Sequence, residues 1–263
     1  PPRSTLFPYT TLFRSKLLKH FNLTNSVNYT ERWYFQTLRK EWVDTTGLAG
    51  GTVKGGYVKT DTLYGFKAAR DFNVSSSLNT RIYGMFSFKK GPVRAIRHVI
   101  SPSVSFSYNP DFSTPFWGYY QEYQKDTAGN TAKYSIFEGG IYGSPASGKS
   151  GRISFSISNN LEMKVRNRKD TISGTKKIAL IDNFTLSTSY DLTRDSLRWS
   201  KVQMSGRTTL FRNITISYSS TWDPYILDST GTRNLNQFEW TVNKRLLRLD
   251  RKSTRLNSSH GKL

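Results

Sequence analysis

The sequence predicts an all-β fold: an antiparallel meander of long strands that is part of a transmembrane β-barrel, and an open curved sheet when this piece stands alone. Three observations predict it. Apolar and polar residues alternate with a period of two over long runs. Clusters of Gly, Pro, Asn, Asp and Ser separate those runs. The composition is 36% hydrophobic and 14% aromatic, so Tyr, Phe and Trp stand where aliphatic residues usually do, which argues against disorder.

The first stretch, "PPRSTLFPYTTLFRS", is not a secretory signal, because Leu6 and Phe7 run straight into Pro8, Tyr9, Thr10 and Thr11 and leave no apolar segment. It is, however, the mismatch-free translation of a DNA string resembling a common short-read sequencing adapter. "DRKSTRLNSSH", Asp250 to His260, matches the adapter of the opposite read in the same way. Residues 1–15 and 250–263 are therefore expected to be adapter-like artefacts flanking an internal piece of a longer protein, residues 16–249. Without those ends Lys plus Arg falls from 39 to 33 and Asp plus Glu from 18 to 17, and the net charge from +21 to +16. The piece is still strongly basic, which suits anionic partners.

From His20 to Phe35, Phe21, Leu23, Val27, Tyr29, Trp33 and Phe35 alternate with Asn22, Thr24, Ser26, Asn28, Thr30 and Arg32. From Asp71 to Phe88, Phe72, Val74, Leu78, Ile82, Phe86 and Phe88 alternate with Asn73, Ser75, Ser77, Asn79 and Arg81. From Gly151 to Asn167, Ile153, Phe155, Ile157, Leu161, Met163 and Val165 share one face. Shorter runs follow at 100–108, 180–192, 202–210 and 214–222. Turn chemistry lies between them in "NPDFSTP", "KDTAGNTA", "GSPASGKSG", "LTRDS" and "DPYILDSTGTRN". A long polar loop is expected between Arg166 and Lys177, a tight hairpin in "LFRNI", and Pro102 near a strand start, where a missing N–H is tolerable. On the order of ten antiparallel strands result.

Strand length separates a barrel from a soluble sandwich. Three runs alternate for about 14–17 residues, roughly 50 Å, whereas soluble strands usually have about 5–6 residues and a tilted strand crosses the hydrocarbon in about 9–11. A face of Ser, Thr, Asn and Arg suits a water-filled lumen, and the apolar face suits lipid. Aromatics near strand ends (Trp33 to Phe35, Trp117 with Tyr119 and Tyr120, Trp199, Trp222 with Tyr225, Trp240) are consistent with interfacial girdles. No apolar stretch approaches the roughly 18 residues of a spanning helix, and the absence of cysteine excludes disulfides and thiolate metal sites in this piece.

"IRHVISPSVSFSYNPDFSTPFWGYY", "GSPASGKSGRISFSISNNLEMKV", "KKIALIDNFTLSTSYDLTRDSLRWSKVQMSGRTTLF", "WDPYILDSTGTRNLNQFEW" and "YTERWYFQTLRKEW" together resemble the LptD family of lipopolysaccharide-assembly outer-membrane proteins. Their order along the chain, from Lys16 to Leu249, carries the resemblance more than any single phrase. The resemblance implies a cell-outer-membrane location in a Gram-negative bacterium, in a very large barrel of roughly twenty-six strands in the whole protein. It implies lipopolysaccharide as cargo, outer-membrane lipid around the barrel, an LptE-like lipoprotein plug, and periplasmic bridge proteins that deliver the cargo. No gate residue matches a motif that could be carried over.

Chemistry for an enzyme is not evident, and nothing in the residues implies a cofactor or a metal. His98, in "RAIRHVISP", reads as a structural or solvated side chain of a basic loop. "GSPASGKSG" lacks the spacing of a phosphate-binding P-loop. Two basic clusters, Lys89, Lys90, Arg94 and Arg97, and Lys164, Arg166 and their neighbours, are the candidate contacts for anionic lipopolysaccharide groups. The expected function is translocation and insertion of lipopolysaccharide into the outer leaflet. A TonB-dependent transporter or porin is the alternative, followed by a soluble basic β protein that binds polyanions; no nucleic-acid module is recognisable.

Overall fold

The computed structural model describes residues 4–17, 20–45, 55–167, 174–210 and 214–258. The strands in chain order are β1 (Thr5–Leu17), β2 (Phe21–Asp44), β3 (Gly56–Asn79), β4 (Ile82–Ser87), β5 (Val93–Asn109), β6 (Tyr120–Gln124), β7 (Thr131–Ser135), β8 (Ser150–Arg166), β9 (Thr175–Asp191), β10 (Val202–Leu210), β11 (Ile214–Asp223), β12 (Tyr225–Leu227), β13 (Asn234–Phe238) and β14 (Arg248–Ser258). Ten of them make one antiparallel sheet in the order β1-β2-β3-β5-β8-β9-β10-β11-β14, with β4 paired to β5 beside this path. The order follows the chain, so the sheet is a meander. Among the described residues β1 and β14 end this order, and no pairing joins them.

Residues 5–15 and 250–258 lie in strands of this sheet, and β14 pairs with β11 from Asp223↔Arg248 to Ile214↔Ser258. Pairing needs only alternation and an unpaired edge, so it is indifferent to the coding origin of those residues.

The chain forms two compact units. The first comprises Pro1–Leu12, Ser26–Val74 and Tyr108–Ser150. Its core is Tyr34, Ala69, Phe112, Tyr119, Ile136 and Phe137, with Phe72, Trp117, Tyr120 and Tyr142 packed against it. The excursion between β5 and β8 supplies most of these residues. Asp111 pins its two ends, because one carboxylate oxygen accepts the N–H groups of both Ser113 and Gly148 at 2.8 Å. A 3-10 turn, Pro115–Trp117, stops at Gly118, whose φ of +68° favours glycine. The β6–β7 hairpin turns on Asp126, which accepts the backbone N–H groups of Ala128 and Asn130. The excursion bonds to β2 through Leu38 N–H to the Ile136 carbonyl at 2.8 Å. Fully burying one such ring removes about 150–250 Å² from water, an upper-bound gain of about 4–6 kcal/mol.

Tyr34 and Tyr119 are buried and Trp117 packs on Phe112, so these aromatics turn into a core and do not form a girdle. The alternation alone could not show this, because an aromatic near a strand end serves either purpose. Trp33 and Phe35 do stay with exposed neighbours, packing on Phe66 with ring centroids 5.6 and 5.7 Å away.

The second unit comprises Phe13–Asn25, Ser75–Ser107 and Gly151–Leu263. Three expectations are corrected here. Pro102 lies in the middle of β5 and not near its start. It is tolerated because β3 breaks off opposite it: Thr80 donates its N–H to the Pro102 carbonyl at 3.2 Å and its hydroxyl to the His20 carbonyl at 2.7 Å. His98 is a strand residue opposite Gly84, 3.3 Å from the Asn159 side-chain oxygen, and not part of a loop. The loop after Arg166 is shorter than expected, because Arg166 pairs with Thr175 and Asn167 N–H bonds the Gly174 carbonyl at 2.9 Å. The tip of that loop and the centre of the "LFRNI" hairpin lie outside the described residues, although Leu210 and Ile214 pair across the latter.

Candidate functional site

Register sorts the second unit into two faces. Across β8 and β9, Ser154, Ser156 and Ser158 stand opposite Ser189, Ser187 and Thr185. Across β9 and β10, Ser187, Thr185 and Asn183 meet Gln203, Ser205 and Arg207. Across β10 and β11, Gln203, Ser205, Arg207 and Thr209 meet Thr221, Ser219, Ser217 and Thr215. A polar face is thus continuous over four strands. Further along the same unit, Asn22, Asn79, Ser101, Ser103, Ser156 and Ser158 line a recess of about 590 Å³.

The opposite face carries Ile153, Ile157, Leu186, Phe184, Met204, Tyr218 and Ile216 in the same ladders. Two of its hydroxyl residues have partners within the protein. Thr208 donates to the Leu180 carbonyl at 2.7 Å, and Ser220 accepts the Trp222 indole N–H at 2.8 Å. Gly206 is opposite both Phe184 and Tyr218, and a Cβ there would approach the Phe184 ring to 3.1 Å. The ring covers the backbone that glycine exposes.

Two register shifts in the β8–β9 ladder, between Asn159 and Leu161 and between Leu161 and Glu162, each add one residue to β9. The Asn160 amide donates to the Asp182 and Ile181 carbonyls at 2.8 and 3.3 Å. Beyond this point the polar face becomes charged. Glu162 is opposite Ala179, Lys164 opposite Lys177, and Arg166 opposite Thr175. Arg97 pairs with Met85 across β4–β5 and reaches the Glu162 carboxylate at 2.6 Å.

These residues line a groove of about 460 Å³, formed by Met85, Ser87, Arg94, Ala95, Arg97, Glu162, Met163, Lys164, Thr175 and Lys177. The two basic clusters of the sequence therefore converge in Arg94, Arg97 and Lys164. Lys89 and Lys90 stand on the turn between β4 and β5, where the Lys89 carbonyl accepts from Arg94 at 3.3 Å, and Arg166 is joined to that turn through its N–H to the Pro92 carbonyl at 2.8 Å. Sequence reasoning missed Lys177, because only the register across residues 167–174 reveals that it faces Lys164.

The electrostatics favour an anion with an apolar body. Lys164 directly opposite Lys177 is a repulsive pair, and Arg97 neutralises the one carboxylate in the lining. The Arg97 Nε is buried without a hydrogen-bond acceptor among the described residues. Met85, Ala95 and Met163 supply the apolar part of the wall.

A family profile described as LptD protein matches residues 7–225. No curated protein and no solved structure matches the chain. The profile stops at Tyr225, short of the phrase that the sequence comparison followed as far as Trp240.

Proposed function

This chain belongs to the LptD protein family, and from that premise we propose that its sheet is part of the barrel wall that translocates lipopolysaccharide and inserts it into the outer leaflet. Membership carries involvement in lipopolysaccharide transport and assembly at the outer membrane of Gram-negative bacteria. No described helix is long and apolar enough to cross a membrane, and barrel strands cross without one.

The observation that carries the finer reading is the polar ladder of β8 to β11, backed by a face of Ile153, Ile157, Leu186, Phe184, Met204, Tyr218 and Ile216. In this reading the apolar face meets acyl chains and the polar face lines an enclosed passage. The groove of Arg94, Arg97, Lys164 and Lys177 takes the phosphate and acidic-sugar groups of the cargo by charge-assisted hydrogen bonds. Lys89, Lys90 and Arg166 extend that basic surface around the turn. Connections at one end of the strands, residues 18–20, 88–92, 167–174 and 211–213, are of three to eight residues, and those at the other end, 45–55, 110–149, 192–201 and 224–247, are of ten or more. Outer-membrane barrels have short turns on the periplasmic side, and a groove beside the shorter turns fits cargo arriving from that side. The plug would be an LptE-like lipoprotein, and periplasmic bridge proteins would deliver the cargo.

Single cysteines in the membrane-inserted parent protein test the faces, with the same protein lacking the introduced cysteine as the background. Ser187→Cys and Ser205→Cys should react with a charged, water-soluble maleimide, while Leu186→Cys and Met204→Cys should react only with a lipid-soluble one. Equal labelling of both sets by the charged reagent would overturn the assignment.

A further inference from the structure

Glu162 is the single anion in a groove whose charged residues are otherwise Arg94, Arg97, Lys164 and Lys177. The strands β4 and β5 carry no carboxylate, and β8 carries only this one. On β9, Asp182 is engaged elsewhere, accepting the Thr209 hydroxyl at 2.7 Å. A lone carboxylate among four cations, on the wall of an anion site, calls for a reason.

Its position follows from the ladder. The strand β8 lies between β5 and β9. The second register shift ends at Glu162 and sets it opposite Ala179, a side chain too small to cover it. Lys164 follows two residues on, along the same face, with Lys177 opposite. Arg97 comes from the β5 side and donates its Nη2 group to the Glu162 Oε2 at 2.6 Å. The carboxylate therefore has the guanidinium beside it and the lysine pair next along its own strand.

The bond between them is incomplete. A guanidinium grips an anion best through two parallel N–H groups of its rigid fork. The side-on fork of Arg97 is Nε with Nη2. Glu162 holds Nη2, and Nε is buried without an acceptor among the described residues. Both side chains keep part of their surface open to the groove. A phosphate, with three acceptor oxygens, fills Nε and Nη2 together, and to do so it takes the nitrogen that Glu162 occupies.

A transport site must be left as well as entered. Four cations beside the apolar wall of Met85, Ala95 and Met163 would hold an acylated phosphate for a long time. We infer that Glu162 is the release carboxylate of this groove: it competes with the bound phosphate for the Nε–Nη2 fork of Arg97, and so sets how fast the ligand leaves. The inference rests on the reading of the groove as the anion site of the cargo, and adds the residue that limits its affinity.

The test uses the full chain refolded in detergent and a fluorescent dioctanoyl phosphatidic acid, read by anisotropy and by stopped-flow dissociation. Glu162→Gln keeps an acceptor for Arg97 and removes the charge. It should tighten binding about fivefold, chiefly through slower dissociation. Glu162→Asp keeps the charge but withdraws it from Arg97, and should move affinity the same way by less, which keeps the test valid if the glutamine variant misfolds. In an Arg97→Ala background the gain from Glu162→Gln should largely vanish; an undiminished gain there would show plain repulsion and overturn the competition. Weaker or unchanged binding in Glu162→Gln, with Arg97→Ala weakening it, would mean that the carboxylate only orients Arg97, and the inference would fall while the reading of the groove stood. Binding indifferent both to Arg97→Ala and to Lys164→Ala combined with Lys177→Ala would remove the reading of the groove and the inference together.

Discussion

Replacing Gly140 with alanine forces a methyl group into the aromatic core of the first unit. A Cβ built there lies 2.6 Å from Tyr34 Cε1 and 3.0 Å from the Phe137 carbonyl oxygen. The Tyr34 ring cannot step aside. It is 2% exposed, stacks on Phe137 at 4.8 Å, and donates its hydroxyl to the Gly143 carbonyl at 2.6 Å. Overpacking of this kind costs about 1–3 kcal/mol, which multiplies the open population of the excursion roughly five- to hundredfold. Amide hydrogen exchange over Ile136–Gly143 reads that ratio, and Trp117, packed on Phe112 at 5.1 Å, reports the same opening by a red shift of its emission. A double-mutant cycle isolates the contact: in a Tyr34→Ala background the glycine replacement should cost little further. Exchange in Gly140→Ala as slow as in the parent chain would refute the packing of this excursion on Tyr34.

Three further outcomes are expected. The Asp111 carboxyl is held below its ordinary range by the Ser113 hydroxyl first, then by the Ser113 and Gly148 N–H groups. A depressed pKa means its contribution is present above the ordinary carboxylate value, about 3.9, and is lost as pH falls through the folded value; the protection of the Ser113 and Gly148 amides, measured against their intrinsic exchange rates at each pH, should therefore fall in acid, and Asp111→Asn should flatten that profile. Lys177→Ala should relieve the Lys164 repulsion, stabilising the β8–β9 pair by about 0.2–1 kcal/mol in denaturant titrations, while weakening the binding of lipopolysaccharide-bearing vesicles and its salt dependence. Untrimmed genomic DNA should break its match to the coding sequence at residues 15 and 250; a continuous frame through both junctions would refute the adapter reading.

How much was legible in the sequence follows from the range of each interaction. Period-two alternation is a local property, so β2, β8, β9, β10 and β11 could be read directly, as could the Asp126 and Asp228 turns between short strands; the run from Asp71 to Phe88 takes only the end of β3 and joins it to β4 across the break at Thr80 and Arg81. The two basic clusters were visible, but their meeting was not, because Lys164 and Lys177 face each other only through a particular register. Pro102 looked like a strand start because nothing local shows that β3 stops at Asn79. The fate of Trp117 and Tyr119 was hidden for the same reason. A core built from an excursion folding back on β2 depends on contacts about a hundred residues apart, such as Tyr34 with Gly143.

The paired irregularities on β9 have an arithmetic consequence. Each adds one residue, and one residue alone would turn every later side chain to the opposite surface. Two restore the original parity, so that Lys177 shares its side with Thr185 and Ser187. Evolution can therefore lengthen or shorten this segment in even steps without inverting it, whereas an odd insertion between Ala179 and Asp182 would exchange its wet and greasy sides from there to the strand's end.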